Sequence, residues 1–242
     1  MIYIATDPGI EGAIALMEYT SMSGHRCLQC FDLPVFDRVV VKSVPIPLST
    51  YYESHQNDHS SLEAFKKYLK KKRIRIVTVV DYLKLNEMFE EVKGFNPECL
   101  FLEYLWARPN DSAMTAFSMG GGFDAIQSQA YSHGLGDKLY LVPPSTWKQW
   151  KPYQRFSLWG SGKSGKQIAI DTFQEIFPDS WEERLCPLRK GSTTRRNKPR
   201  DGRADAALIG LYGACELMDL PLPIALAKPR SLVNAAGICE LF

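Results

Sequence analysis

The first hydrophobic positions come in short runs broken by turns. Ile2 to Thr6 reads as a strand, Ala13 to Glu18 as a second after a glycine-containing turn, and Arg26 to Pro34 as a third, which together predict an antiparallel meander. Val39 to Val44 is expected to extend it. Pro45 to Ser60, rich in Pro, Ser, Asn, Asp and His, reads as a loop before a helix over Ser61 to Lys72. Ile74 to Val80 and Tyr82 to Val92 follow as strand and helix. The unbroken run Cys99-Leu100-Phe101-Leu102 has the composition of a strand buried on both faces and ends on Glu103. A long helix is expected over Ser112 to His133, capped by Asp111 or Ser112 and closely packed at Gly120-Gly121-Gly122. Leu139 to Val142 is another buried strand, stopped by Pro143-Pro144. Gly165 to Phe177 is amphipathic, and Arg203 to Leu217 is a small-residue helix suited to burial. No internal repeat is visible. Three hairpin strands followed by alternating helices and strands describe a mixed sheet covered by helices, an α/β layered domain.

Composition narrows this picture. At 242 residues and 45% hydrophobic, the chain is long enough for one domain with insertions, and no apolar run reaches the roughly 18 residues that cross a bilayer. No basic segment followed by an apolar core opens the chain, so secretion is not expected. Six cysteines without framework spacing read as free thiols of a reducing compartment. Cys27 and Cys30, with His25 nearby, invite a metal reading, but residues three apart on a strand point to opposite faces and no second pair follows.

The net charge of +2 conceals segregation. Residues 63–75, 147–166 and 184–203 hold 20 of the 29 Lys and Arg but only Glu63 and Asp201 of the 27 acidic residues. The first tract alone reads as a solvated helix face. The second interleaves Trp147, Trp150, Tyr153, Phe156 and Trp159 with Lys148, Lys151, Arg155, Lys163 and Lys166, a mixture suited to phosphates and exposed bases. The stretch Lys190 to Arg200 in the third is expected to order only on binding. A polyanion partner is the general expectation.

Against that basic background four acids stand out. Asp7 follows the first strand and is turned by Pro8 and Gly9, and Glu103 holds the same relation to its own strand. An acid closing an apolar strand is costly unless it faces water or a cation. Asp201 and Asp205, four apart, share one face of the last helix. A helix start explains Asp201, whereas Asp205 lies among Ala204, Ala206, Ala207, Leu208 and Ile209 and calls for a cation nearby. If the strand ends and this helix are neighbours, the oxygen-only set suits two Mg²⁺ or Mn²⁺ ions, which serve in-line phosphodiester hydrolysis.

Two motifs are decoys. Gly160-Ser161-Gly162-Lys163-Ser164 imitates a phosphate loop, but its first glycine position is Ser157 and no buried strand precedes it. Gly120, Gly122 and Ala125 imitate a dinucleotide fingerprint inside a helix. No nucleotide cofactor is expected.

Asp7-Pro8-Gly9-Ile10-Glu11-Gly12-Ala13, Phe101-Leu102-Glu103, Val142-Pro143-Pro144-Ser145-Thr146-Trp147-Lys148 and Asp201-Gly202-Arg203-Ala204-Asp205-Ala206 run in an order that resembles the RuvC-like Holliday junction resolvases, particularly phage-type and plant chloroplast members. The resemblance spans residues 1 to about 215. It implies an RNase H-like mixed five-stranded sheet, an antiparallel meander plus parallel strands flanked by helices. The nuclease domain would cover 1–220 with an insertion around 39–98, followed by a tail at 221–242. It further implies a Mg²⁺- or Mn²⁺-dependent homodimer in a bacterial or phage-infected cytoplasm, nicking four-way junction DNA at two symmetric positions. Asp7, Glu103 and Asp205 match the family's metal-binding acids. Asp201 matches the penultimate position, which bacterial members place three rather than four residues before the last acid. Lys148 and Lys163, with Lys166 competing, match basic residues near the scissile phosphate. Trp106 falls where bacterial members carry an aromatic that inserts at the junction centre. Arg108, Arg195, Arg196, Lys198 and Arg203 complete the residues assigned to DNA.

Rival readings keep the fold and change the role. One is a nuclease or transposase acting on other branched or hybrid nucleic acid. Another is a junction-binding protein without catalysis. The last, an actin-like ATP-binding protein sharing the early Asp-x-Gly turn, has no use for the basic tracts.

Overall fold

Strand β1 (Ile2–Asp7) pairs antiparallel with β2 (Ala13–Thr20), and β2 with β3 (Gly24–Asp32), so the expected meander forms. The structure is a computed structural model. It describes residues 1–41, 44–55, 61–72, 74–105, 113–158, 163–188, 192, 194–195, 198–223, 232–233 and 239–240. On the other side of β1 lie β7 (Cys99–Glu103) and β8 (Leu139–Val142), both parallel, giving a five-stranded sheet of order β3-β2-β1-β7-β8. This order, with only β2 antiparallel to its central neighbours, is the RNase H-like arrangement.

Strand alternation divides the core. Tyr3, Ala5, Ala15, Met17 and Phe101 point to one face, where helices α7 (Gly165–Ile176) and α9 (Asp201–Glu216) cover them. Ile4, Ile14, Leu16, Leu100 and Leu102 point to the other, under α3 (Tyr82–Lys93) and α4 (Ala113–Ser132). Covered on both faces, β1 and β7 are apolar along most of their length, Thr6 and the terminal Asp7 and Glu103 excepted. Helix α9 lies close on the sheet because its inner face is Ala and Gly. A Cβ on Gly210 would stand 2.8 Å from the Cβ of Ala5, and one on Gly213 would stand 2.3 Å from the Phe101 ring. Between these helices run α5 (Pro144–Trp147), α6 (Lys151–Leu158) and α8 (Trp181–Leu185).

Four expectations need correcting. Leu139 to Val142 is not a buried strand: β8 forms the edge of the sheet, where Tyr140 and Leu141 are exposed and only Val142 is buried. Val39 to Val44 does not extend the meander. Instead β4 (Val35–Val41) pairs with β5 (Val44–Pro47) and β6 (Arg75–Val80) in a separate antiparallel sheet of order β5-β4-β6. Hydrophobic spacing specifies a strand but not its partner; here Pro34 follows β3, and its carbonyl accepts from the Asp81 backbone at 2.8 Å, closing this lobe. Within the expected loop of 45–60, β5 runs on into helix α1 (Leu48–Glu53). With α2 (Leu62–Lys71), α1 covers the lobe's own core of Val39, Leu48, Phe65 and Leu69. Cys27 and Cys30 do not point to opposite faces either. The register slips between Leu16 and Met17, leaving Leu28 unpaired, and this bulge brings the two sulfurs into one core 3.4 Å apart. A two-stranded pair, β9 (Leu232–Val233) and β10 (Cys239–Glu240), lies near the C-terminus.

Candidate active site

The parallel pairing Thr6↔Leu102 brings the carboxyl ends of β1 and β7 side by side, and with them Asp7 and Glu103. Ligands in open α/β sheets bind at such ends. The Asp7 turn is tight. Asp7 Oδ1 accepts from the Gly9 backbone at 3.0 Å, and the Gly12 backbone donates to the Gly9 carbonyl at 2.8 Å. A Cβ on Gly12 would fall 2.0 Å from the Asp7 carbonyl, so no other residue fits there. On the opposite wall, a Cβ on Gly202 would come 2.2 Å from the Glu11 carbonyl. That contact seats the first turn of α9 on the same loop. Asp201 opens α9 and Asp205 lies one turn further on.

These four acids line one cavity of about 620 Å³ together with Glu11, Lys148, Tyr153 and Lys166. Glu103 is 6% exposed, and its Oε1 accepts from Trp147 Nε1 at 2.9 Å. Lys148 Nζ stands 3.7 Å from the same oxygen and 4.8 Å from the Trp147 ring centre. Lys166 Nζ pairs with Asp201 at 2.8 Å and Glu11 at 3.3 Å.

The acids act on one another. Burial, then the charge of Glu103, pushes the Asp7 carboxyl up to about 7; Asp201 adds to this, while the Gly9 N–H and Lys148 oppose it. Burial raises Asp205 well above the carboxylate range, with Asp7, Glu103 and Asp201 reinforcing and Lys148 opposing. Like charges are therefore held together at a cost that a cation would relieve. All the donors are oxygens, the chemistry of a hard divalent ion. Among the described residues, however, no three acidic, His or Cys side chains are gathered closely enough to hold a metal ion as they stand. The donor set fits Mg²⁺ in kind, and its side chains would have to close around an ion.

The basic residues divide. Lys148 and Lys166 face the acids. Lys163 is turned to Asp171 at 2.6 Å and does not line the cavity. Lys198 lines an adjoining cavity of about 420 Å³ with Arg200, Lys166 and Asp201. Arg195 donates to the carbonyls of Glu183 and Cys186 at 3.0 and 3.2 Å, so it braces the fold. Arg203, expected on DNA, is 8% exposed and donates to Asp32 Oδ1 at 2.7 Å and to the Arg184 carbonyl. It packs in the interior because α9 lies flat on the sheet. Trp106, Arg108, Arg196 and most of the glycine decoy at 160–164 lie outside the described residues.

Trp147, Trp150 and Tyr153, read from sequence as base-stacking residues, are instead buried. Trp150 donates to Glu216 at 2.6 Å, and Tyr153 packs edge-on to Trp147. Spacing among lysines cannot distinguish a stacking aromatic from a core one. Sequence reasoning also overlooked Glu11 as a wall of the site, although it stands within the Asp7 to Ala13 motif. Of the three helical glycines, Gly122 has a purpose, since a Cβ there would lie 2.3 Å from the Pro8 carbonyl.

No family model and no curated protein matches the chain. Among solved structures, Thermus thermophilus RuvC is 17% identical with a TM-score of 0.45, the alignment covering 93% of this chain and 100% of that one. The T. thermophilus RuvC complex with a Holliday junction substrate is 15% identical with a TM-score of 0.45, covering 90% and 96%. The chain is similar also to the yeast mitochondrial Holliday junction resolvase Ydc2, at 14% identity and a TM-score of 0.41, covering 86% of this chain and 75% of that one.

Proposed function

We propose that this protein is a metal-dependent endonuclease that resolves four-way DNA junctions by paired symmetric nicks, acting as a homodimer in the cytoplasm of a bacterial or phage-infected cell. The observation that carries the reading is the convergence of Asp7, Glu103, Asp201 and Asp205 on one cavity flanked by Lys148 and Lys166. In this reading the four carboxylates hold Mg²⁺ or Mn²⁺, two ions per site. When bound, such ions supply Lewis acidity toward the attacking water and the leaving 3′ oxygen.

The chain's own residues do the rest. The Asp7 turn, closed by the Gly9 and Gly12 backbone, holds that carboxylate rigidly toward the cavity. Trp147 fixes one oxygen of Glu103, leaving the other to a ligand. Lys148 and Lys166 offer ammonium groups to the non-bridging oxygens of the scissile phosphate, at the mouth where the strand would enter.

The test is cleavage of a labelled four-way junction beside linear duplex, splayed-arm and RNA–DNA hybrid substrates, in Mg²⁺ and in EDTA. Paired nicks confined to the junction and abolished by EDTA are expected. Asp7→Asn and Glu103→Gln should each lower the rate by at least about a thousandfold while junction affinity is kept, because lost metal affinity is accompanied by less repulsion of DNA. Undiminished cutting by either variant would remove the site. Equal cutting of the hybrid would replace the substrate, and binding without cutting would favour a junction-binding protein.

A further inference from the structure

The lobe built from β4, β5, β6, α1 and α2 carries charge that the acid cavity does not use. Residues 61–75 contain seven Lys and Arg and one acid, Glu63. On α2, Phe65 and Leu69 are fully buried in the lobe's core, so the helix has one committed face. Lys67, Lys70 and Lys71 stand at i, i+3 and i+4 on the opposite, exposed face. Lys66, at the edge, is taken up by Asp37 at 2.8 Å and Glu63 at 3.8 Å. Among the described residues the other three have no ion-pair partner. Three like charges at this spacing repel, which an anionic partner would reverse. A lipid surface fits poorly, since the apolar side of α2 is already spent on the lobe.

The lobe is also placed near the site. Strand β6 runs from Arg75, beside the end of α2, to Val80, and Val80 and Pro8 both border Gly122. At about 3.3 Å per residue, β6 itself spans roughly 17 Å from the end of α2 to the neighbourhood of Gly122 and Pro8.

We propose that the Lys67, Lys70 and Lys71 face grips the phosphate backbone of a duplex arm that extends from the acid cavity. It takes its substrate class from the nuclease reading above. The contact is with phosphates alone and carries no sequence preference.

The experiment measures the affinity of the full chain for a four-way junction and for linear duplex, in EDTA, across a salt series. The parent is compared with K67A/K70A/K71A and with a control, K84A/K93A/K138A, which removes equal charge elsewhere. The first variant should bind at least tenfold more weakly at low salt, and the slope of log affinity against log salt should fall by about 2 to 3. The control should leave that slope in place, and both should keep the parent's circular dichroism melt. A slope unchanged in K67A/K70A/K71A, or lowered equally by the control, would overturn the proposal. If the parent binds DNA but cuts no junction while the slope still falls, the resolvase reading fails and this surface stands.

Discussion

Asp7 carries the residue-scale consequences of the site. Its folded-state pKa of about 7 lies above the unfolded value near 3.9, so between these the folded chain binds the extra proton. Its contribution to stability is greatest below about pH 4, declines as pH rises to about 7, and is constant beyond. In EDTA, Asp7→Asn should therefore melt above the parent at pH 8, by roughly 1 to 3 kcal/mol, with the gap closing toward pH 4. Melts at several pH values check this; a gap independent of pH would mean the carboxyl is not strained by burial and its neighbours. Trp147 offers a second test. Trp147→Phe keeps a ring in the core but leaves Glu103 Oε1 without its donor, at a cost of about 1 to 3 kcal/mol. Thermal melting reads the loss, and Mg²⁺ affinity by calorimetry should weaken as the carboxylate loses its orientation. Both acids could be read from the chain, since each closes an apolar strand. The role of Trp147 could not, because a hydrogen bond across 44 residues leaves no local pattern.

At the scale of elements, α9 joins sequence to site most directly. Its Ala and Gly content reads plainly as a helix made for close packing, and its docking carries Asp201 and Asp205 to the carboxyl ends of β1 and β7. Gly213→Ala would press a methyl into the Phe101 ring and should cost about 1 to 3 kcal/mol. Because the shift moves α9, the melting loss should come with reduced cleavage. A variant that melts and cuts like the parent would show that the helix does not need this approach. The meander, the Cys99 strand and helices α7 and α9 were legible because each had its own period and its own turn residues, whereas the short helices α5, α6 and α8 had none. The second sheet was not, because alternation in Val35–Val41 is satisfied by either sheet and β4 pairs with β6 across more than thirty intervening residues. The bulge at Leu28 escaped notice for a related reason, since it depends on the register of two strands together.

For the whole molecule, segregated charge does not translate directly into DNA-facing charge. In the third tract Arg184, Arg195 and Arg203 donate to Cys27, Glu183, Cys186 and Asp32, whereas Lys198 opens into a cavity. Arg203→Ala should therefore lower the melting temperature and leave the salt dependence of DNA binding unchanged, while Lys198→Ala should reduce that slope by about 1 without loss of stability. A lowered slope from Arg203→Ala would return that residue to the interface. Sequence alone determined the five strands of the main sheet, its mixed character and the four candidate acids, because these follow from local periodicity and from the cost of placing a carboxylate in an apolar run. Which lysines face the acids, which aromatics are core, and which strands form a separate lobe were decided only by tertiary structure. Those outcomes depend on contacts between residues far apart in the chain, where packing and paired charge choose among partners that local pattern leaves equivalent.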